Sequence, residues 1–412
     1  MRFFHTADWH LGQDFHDIPR EAEHQAFLDW LADQLVTQDA DALLVTGDIY
    51  DSQNPPIGAQ RQLYRFIAEV RNRKPDLDIV LIGGNHDSAG RLEAPGPLLD
   101  PFGVRVIGSL PRIAGGGLDF DRLTVPLHDS DGTVAALVAA VPFLRLPDLP
   151  PAPDDCDDPL IWGVREVYHE ALAGVAARLE PGQALIATGH CYMTGSELSD
   201  LSERRILGGN QHALPVDLFP TDLAYVALGH LHKAQCVGGR AEVRYSGSPL
   251  PLSVVERDYR HQVVMVDLDD GAAKVTPLIV PRTVDIVRVP SRGAALVEDA
   301  LAALRALVAD PAQPRELWPY LDIVIAADGP LPSLRRDVDE AIAGKGLRLA
   351  RLKVETQAAA SNGAAPPPDL ETMVPEEVFV RCWQRTYCDA PPEATLDAFR
   401  ELLESLESGE PT

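Results

Sequence analysis

Seven residues of metal-binding type fall in five short polar motifs, and each motif follows an apolar run. Gly229-His230-Leu231-His232 is the densest of them. In an extended backbone, residues two apart project to the same side, so two imidazoles there can meet one point. Asp8-Trp9-His10 repeats that logic after Phe3 to Ala7. Single polar groups follow other apolar runs: Asp48 after Ala42 to Thr46, Asn85 after Ile79 to Gly83, and His190 after Leu185 to Thr188. The sum is two Asp, one Asn and four His, a mixed oxygen and nitrogen set suited to a pair of divalent transition ions.

Within this set Asp48 has a special place. Gly47-Asp48-Ile49-Tyr50-Asp51 leaves a strand, and a carboxylate there can bridge two ions about 3.5–4 Å apart, so that one activates water while both hold a phosphoryl oxygen. With Asn85 as a ligand, its neighbour His86 is better placed to reach a scissile phosphate or leaving oxygen than to join the metal shell. That makes His86 the candidate transition-state stabiliser or general acid, with Asp51 and Asp87 as orienting carboxylates. Glycines at 47, 83, 84, 189 and 229 let strand ends turn sharply and bring backbone close to the ions. A lone Asp-x-His or Gly-His is more often a cap or a satisfied polar group, but five such motifs in this order make coincidence a poor explanation. His5, His16, His24, His128, His169, His212 and His261 lack the context and read as ordinary polar residues.

The elements that must position these groups form an α/β pattern over residues 1–281. Strands are expected at 2–7, 42–46 and 78–82, with helices at 20–37 and 58–73. A motif just beyond the C-terminal end of a strand is where open α/β sheets carry their sites. After Gly90, segments 104–107, 118–125 and 134–141 read as strands of a second, more antiparallel sheet, and the Pro- and Asp-rich stretch 146–159 as a surface loop. A helix at 164–179 and strands at 184–188, 223–228, 243–245, 262–267 and 274–280 complete the unit. Residues 282–355 read as a small βαβαβ module that either serves packing or oligomerisation or faces substrate. Residues 356–370 are a linker by composition. In the remaining segment, 371–412, two amphipathic helices, at 375–387 and 392–406, present apolar stripes that need a partner surface or fold back on their own domain.

Composition narrows the class further. The chain has 412 residues, 45% of them hydrophobic, which is ample for conventional cores. No secretory leader and no apolar run of membrane-spanning length is visible, so a soluble cytoplasmic protein is expected. Its five cysteines are scattered and contain no CxxC, which argues against a disulfide framework or a zinc ribbon; Cys191 is expected to pack beneath the site. The net charge of −26 argues against nucleic acid only weakly, because bound cations reverse the local charge at a carboxylate-lined site. Arg204, Arg205 and Lys233 lie near the last motifs and are candidates for DNA phosphate contacts or plain solvated charges.

Together, Asp8-Trp9-His10-Leu11-Gly12, Gly47-Asp48-Ile49-Tyr50-Asp51, Gly84-Asn85-His86-Asp87, Gly189-His190 and Gly229-His230-Leu231-His232 resemble the calcineurin-like metallophosphoesterase superfamily. The segments His5 to Gly12, Tyr225 to Lys233 and Tyr245-Ser246-Gly247-Ser248-Pro249 are similar to those of the bacterial SbcD nuclease subunits. The resemblance implies an αββα sandwich with a small α/β capping domain and C-terminal helices. It implies two Mn²⁺ or other divalent transition ions, one held by Asp8, His10, Asp48 and His232 and the other by Asp48, Asn85, His190 and His230. It also implies exonuclease and endonuclease action on double-stranded DNA ends and hairpins, in repair, recombination and replication. The implied partner is an SbcC-type ATPase that docks on the C-terminal helices, two nuclease subunits combining with two ATPase subunits. This chain has no GxxxxGK(S/T) loop of its own, so any ATP dependence must come from that partner. The rival reading is a stand-alone metallophosphatase or cyclic-nucleotide phosphodiesterase, which has no need of the module or the helices.

Overall fold

Alternation of side chains along the central strands sends every second residue to a different core. Phe4, Leu43, Val45, Ile79 and Leu81 pack against two 17-residue helices, Glu21–Thr37 and Ile57–Arg73. The intervening residues Phe3, Leu44, Val80 and Ile82 face the opposite way and interlock with Val138, Ile186, Tyr225 and Ala227 of a second sheet. The outer face of that second sheet, with Leu185, Ala187, Val226 and Leu228, is covered by the helix Pro159–Ala176. Both sheets are therefore buried on both faces, which explains their continuous apolar runs and gives four layers in the order α, β, β, α. The computed structural model describes residues 1–197, 213–269, 271–308, 310–327 and 331–355, with Phe379, Val380, Trp383, Pro391, Pro392, Thr395, Leu396 and Phe399 from the C-terminal segment.

The first sheet has the order Ala272–Ile279, Gln262–Asp269, Arg2–Thr6, Ala42–Thr46, Asp78–Ile82, Val104–Ile107. Its last four strands are parallel, so their C-terminal ends share one edge. The second sheet runs Gln235–Val237, Arg240–Tyr245, Tyr225–Gly229, Ala184–His190, Val134–Ala139, Thr124–His128, with its inner four strands parallel. Three expectations are corrected here. Val104–Ile107 extends the first sheet instead of opening the second, and the second sheet is antiparallel only at its two outer pairs. Residues 118–125 are not one strand: Asp119 caps a short helix at Phe120–Leu123 by accepting from the backbone N–H groups of Asp121 and Arg122, and the strand starts at Thr124. Side-chain capping at Asp119 outcompetes the β-forming tendency of the apolar residues that follow.

The small module is present as three strands, Ile286–Val289, Tyr320–Ala326 and Arg348–Glu355, with helices Val297–Ala306 and Leu334–Ile342. Residues Met1–Ile325 and Leu331–Lys353 form one compact unit. A second unit comprises Ala326–Pro330 and Val354–Thr412. Among its described residues, Phe379, Val380 and Trp383 are helical, as are Thr395, Leu396 and Phe399. Phe379 stacks on Phe399 with ring centroids 4.2 Å apart and planes 11° apart. The linker and most of the two amphipathic helices lie outside the described residues.

Leu44 sits fully buried between the two sheets. Leu44→Ala is therefore expected to destabilise the chain by about 2–5 kcal/mol through lost transfer energy plus a cavity. The readout is the urea midpoint; an unchanged midpoint would mean that the sheets are not packed as described.

Candidate metal centre

At the shared edge of the sandwich, the strand ends of both sheets deliver their polar residues to one place. Asp8 follows Arg2–Thr6, Asp48 follows Ala42–Thr46 and Asn85 follows Asp78–Ile82, all from the first sheet. From the second come His190, the last residue of its strand, and His230, directly after Gly229. The backbone there is held in sparsely populated conformations: φ is +55° at Asp8, +46° at His10, +48° at Asp48 and +101° at His230. Such conformations cost on the order of 1–3 kcal/mol each and persist only where surroundings fix them. Here Asp8 N donates to Gly47 O at 3.0 Å and His10 N to Asp48 O at 3.0 Å. Two glycines are required by close approach alone: a Cβ at Gly84 would lie 2.2 Å from Asp48 Oδ1, and one at Gly229 would lie 1.9 Å from Thr46 O.

Two donor groups result. The ligand atoms of Asp8, His10 and His232 all lie within 4.8 Å of one another, as do those of Asp48, His190 and His230. Asn85 joins the second group, its Oδ1 being 2.9 Å from His190 Nε2 and 3.1 Å from His230 Nδ1. Asp48 stands between the groups, with Oδ2 at 3.7 Å from His10 Nε2 and 3.2 Å from His190 Nε2. A further cluster of His10, Asp51 and His86 brings His86 to the edge of the first group.

The histidines are oriented from behind. Nδ1 of His10 lies 3.0 Å from Asp51 Oδ1, Nδ1 of His190 lies 2.9 Å from Thr46 O, and Nδ1 of His232 lies 2.9 Å from Glu256 Oε1. An Nδ1–H donated to each oxygen leaves the three Nε2 lone pairs for a cation, the arrangement that fixes the tautomer of a metal-bound imidazole. His10 Nε2 is buried with no hydrogen-bond partner among the described residues. An orphaned lone pair of that kind, next to buried carboxylates, fits a bound cation.

Charge in the site is balanced by proximity. Burial alone would raise the Asp48 carboxyl, but the His190, His86 and His10 imidazoles together outweigh it and hold Asp48 well below the carboxylate range. For His190, burial disfavours the charged ring, yet Asp48 beside it raises the imidazole to about 9, so the Nε2 proton is the one a bound cation would displace to reach that lone pair. Burial and the neighbouring His190 push His230 the other way, to about 3. Burial also raises the Asp8 carboxyl against the pull of His190 and His232.

The comparisons with known proteins fit this geometry. Residues 1–234 match the family model described as calcineurin-like phosphoesterase. Residues 282–387 match the family model described as type 5 capsule protein repressor C-terminal domain, SbcD_C. The chain is 44% identical to the SbcD subunit of nuclease SbcCD from Rhodobacter capsulatus over 384 residues, covering 92% of this chain and 93% of that one. The chain belongs to the SbcD family of nuclease subunits. It is 34% identical over 352 residues to the Escherichia coli K12 member, covering 82% and 81% of the two chains. Against the Bacillus subtilis 168 member it is 35% identical over 280 residues, covering 66% and 67%. As a member of the SbcD family and a calcineurin-like phosphoesterase, it is a metal-dependent phosphodiesterase whose His and Asp groups are able to bind metal ions.

Other sequence candidates of this SbcD-family chain are placed as follows. His86 Nδ1 is 2.8 Å from Asp51 O, and its ring lies 4.7 Å from that of His10, edge to face. Asp51 thus supports two imidazoles, one through its side chain and one through its carbonyl. Asp87 acts on backbone rather than on a ligand: its carboxylate accepts from Gly84 N at 2.9 Å, Ile49 N at 3.1 Å and Tyr50 N at 2.9 Å, tying two ligand loops together. Lys233 is ion-paired with Glu197 and lies 5.8 Å from the Tyr259 ring centroid. Arg204 and Arg205 lie outside the described residues. Cys191 is buried, with its sulfur 3.8 Å from Met193 Sδ, and burial pushes its thiol up to about 12.

Two functional neighbours escape sequence reasoning. His5, read as an ordinary polar residue, is fully buried beneath the site and connects the sheets, with Nδ1 3.0 Å from Tyr225 Oη and Nε2 3.0 Å from Thr46 Oγ1 and 3.2 Å from Leu228 O. Burial holds it neutral, lowering it to about 3. Glu256, fully buried behind His232, also accepts from Leu252 N at 2.8 Å. The signal that could have found Glu256 is an acidic residue close behind the apolar run Pro249 to Val255.

Proposed function

We propose that this chain is the nuclease subunit of a two-component DNA-processing enzyme, hydrolysing phosphodiester bonds at double-strand ends and hairpins with a dinuclear centre of Mn²⁺. The observation that carries the reading is the place of Asp48 between two complete donor groups. One ion would be held by Asp8, His10, Asp48 and His232, and the other by Asp48, Asn85, His190 and His230. Two divalent cations held there would supply water activation and neutralise charge on the phosphoryl oxygens. The chain's own contribution is to fix that geometry: the strained strand ends and Asp87 hold the ligands, and Asp51, Thr46 and Glu256 set the ring tautomers. His86, at the edge of the centre, would donate a hydrogen bond to the phosphate or protonate the leaving oxygen.

The substrate and partner follow from the family. The relatives that span most of this chain are subunits of nuclease SbcCD, which supports an SbcC-type ATPase as partner and DNA as substrate. The C-terminal helices around Phe379 and Phe399 would dock on that ATPase, in a complex of two nuclease and two ATPase subunits. Arg204 and Arg205 would contact DNA phosphates, and Lys233 would do so on leaving Glu197. The match over residues 282–387 weighs against a stand-alone phosphatase or cyclic-nucleotide phosphodiesterase.

Metal choice gives the test. A set rich in imidazole favours Mn²⁺ over Mg²⁺, which prefers all-oxygen octahedra and keeps its waters. Stripped protein mixed with an SbcC-type ATPase and ATP should regain cleavage of linear and hairpin DNA with manganese and regain little with magnesium. Equal recovery with magnesium alone would overturn the metal assignment, and hydrolysis of cyclic nucleotides in preference to DNA would overturn the substrate class.

A further inference from the structure

A buried polar line runs from the small module to His232. Tyr320, at the start of the module's middle strand, donates its hydroxyl to Glu23 Oε1. Glu23 Oε2 accepts from Arg20 Nη2 at 3.1 Å, and Arg20 Nη1 donates to the carbonyl of Pro251 at 2.7 Å. One residue further along the chain, Leu252 N donates to Glu256 Oε2 at 2.8 Å, and Glu256 Oε1 holds His232 Nδ1 at 2.9 Å. Tyr320, Glu23, Arg20, Glu256 and His232 are each no more than 4% exposed.

Rings lock the line at the module end. Phe15 packs on Tyr320 with centroids 4.3 Å apart, the Arg20 guanidinium lies 5.3 Å from the Phe15 centroid, and Arg348 lies 4.1 Å from the Tyr320 centroid. Arg20 reaches a second ligand as well: Nη1 donates to Gln13 Oε1 at 3.0 Å, and Gln13 N donates to His10 O at 3.0 Å. A buried ion pair is a poor device for stability, because desolvation offsets its attraction and an apolar pair of equal volume does as well or better. Arg20, paired with Glu23, donates to the carbonyl of Pro251, next to Leu252, whose N–H meets the carboxylate behind His232. A carboxylate on the far nitrogen of a metal-binding imidazole sets its tautomer and raises its basicity.

We propose that Glu256 is a positioning residue for His232, and that Tyr320, Glu23 and Arg20 tie its setting to the small module. The seating of the module thereby tunes the affinity of the ion site made by Asp8, His10 and His232 and leaves the Asn85 site alone. The inference rests on the two-ion reading above and adds to it a control point outside the metal centre.

The test is isothermal titration of metal-stripped, full-length protein with manganese chloride, with circular dichroism melts alongside. Wild type should bind two ions; if it does not, the two-ion reading fails, which is a different result from any that concerns the line. Asn85→Ala identifies the other site by weakening it. Glu256→Gln should weaken only the site that Asn85→Ala spares, by about 10–100-fold. Tyr320→Phe, which removes one hydroxyl that belongs to neither donor group, should weaken that same site by about 3–10-fold, the worth of a net hydrogen bond. A merely structural role would instead lower the melting temperature and leave the two affinities equal to wild type or reduce both together. Wild-type affinities at both sites in Glu256→Gln would overturn the positioning role, and wild-type affinities in Tyr320→Phe would overturn the tie to the module. If Glu256→Gln does not fold, Tyr320→Phe decides the proposal alone.

Discussion

Asp48→Ala and Asp48→Asn should each lose both ions' function, with phosphodiester hydrolysis falling by more than about 10³-fold, since several kcal/mol of transition-state stabilisation depend on the paired cations. The reason is positional. Asp48 Oδ2 faces His10 Nε2 on one side and His190 Nε2 on the other, while Oδ1 accepts from His86 N at 2.8 Å. One carboxylate thus faces both donor groups and pins the loop that carries Asn85 and His86. The Asn variant separates charge from shape, because its amide oxygen can still accept from His86 N while the anion proposed to hold both cations is gone. Metal analysis after gel filtration is the direct readout. Two tightly bound manganese ions with undiminished hydrolysis in either variant would remove Asp48 from the centre.

His86→Ala should behave in the opposite way, keeping both ions while losing about 10²–10⁴-fold in DNA cleavage, the range for a positioned acid or base. The substitution leaves the His86 backbone N–H on Asp48 in place, so the Asp48 carboxylate keeps its support. It deletes an imidazole whose Nδ1 is anchored 2.8 Å from Asp51 O, with the other ring nitrogen available for substrate. If His86 serves the leaving oxygen, bis-p-nitrophenyl phosphate should suffer much less than DNA, because p-nitrophenolate departs without a proton. Loss of manganese in His86→Ala would make the residue a ligand and end the acid assignment.

Much of this fold is legible because the physics is local. Apolar runs of strand length, bounded by glycine and helical stretches, place Ala42–Thr46, Asp78–Ile82 and Val104–Ile107 within a residue of the observed ends. The polar groups just past those runs are legible for the same reason: a strand end in a parallel sheet is where backbone can turn and a side chain can face a ligand. Sheet membership is not local. Val104–Ile107 joins the first sheet because its backbone continues the parallel ladder beside Asp78–Ile82, a partnership separated by some twenty residues that no window of sequence contains. At 118–125 the apolar pattern misleads because one aspartate, Asp119, finds backbone donors two and three residues on.

The supporting residues are harder to read than the donor groups. Arg20 looks like a surface charge in sequence and Glu256 is marked only by its place behind the apolar run Pro249 to Val255, whereas burial against Glu23 and His232 shows what each one holds. His5 carries no mark of its role as a bridge beneath the centre, since its partners Thr46, Tyr225 and Leu228 are brought to it by the packing of two sheets. Asp87 reads as one more carboxylate near a metal, whereas its three backbone bonds make it the clasp between the Gly47–Asp51 and Gly84–His86 loops.

The central claim is a pair of cations bridged by one carboxylate and working together on a phosphodiester. The most direct measurement is hydrolysis by metal-stripped full-length protein as manganese is added in fractions of an equivalent, with protein far above the dissociation constants. Activity should lag through the first equivalent and reach its plateau at two ions per chain. A plateau at one ion per chain, or full activity with none, would contradict the dinuclear centre.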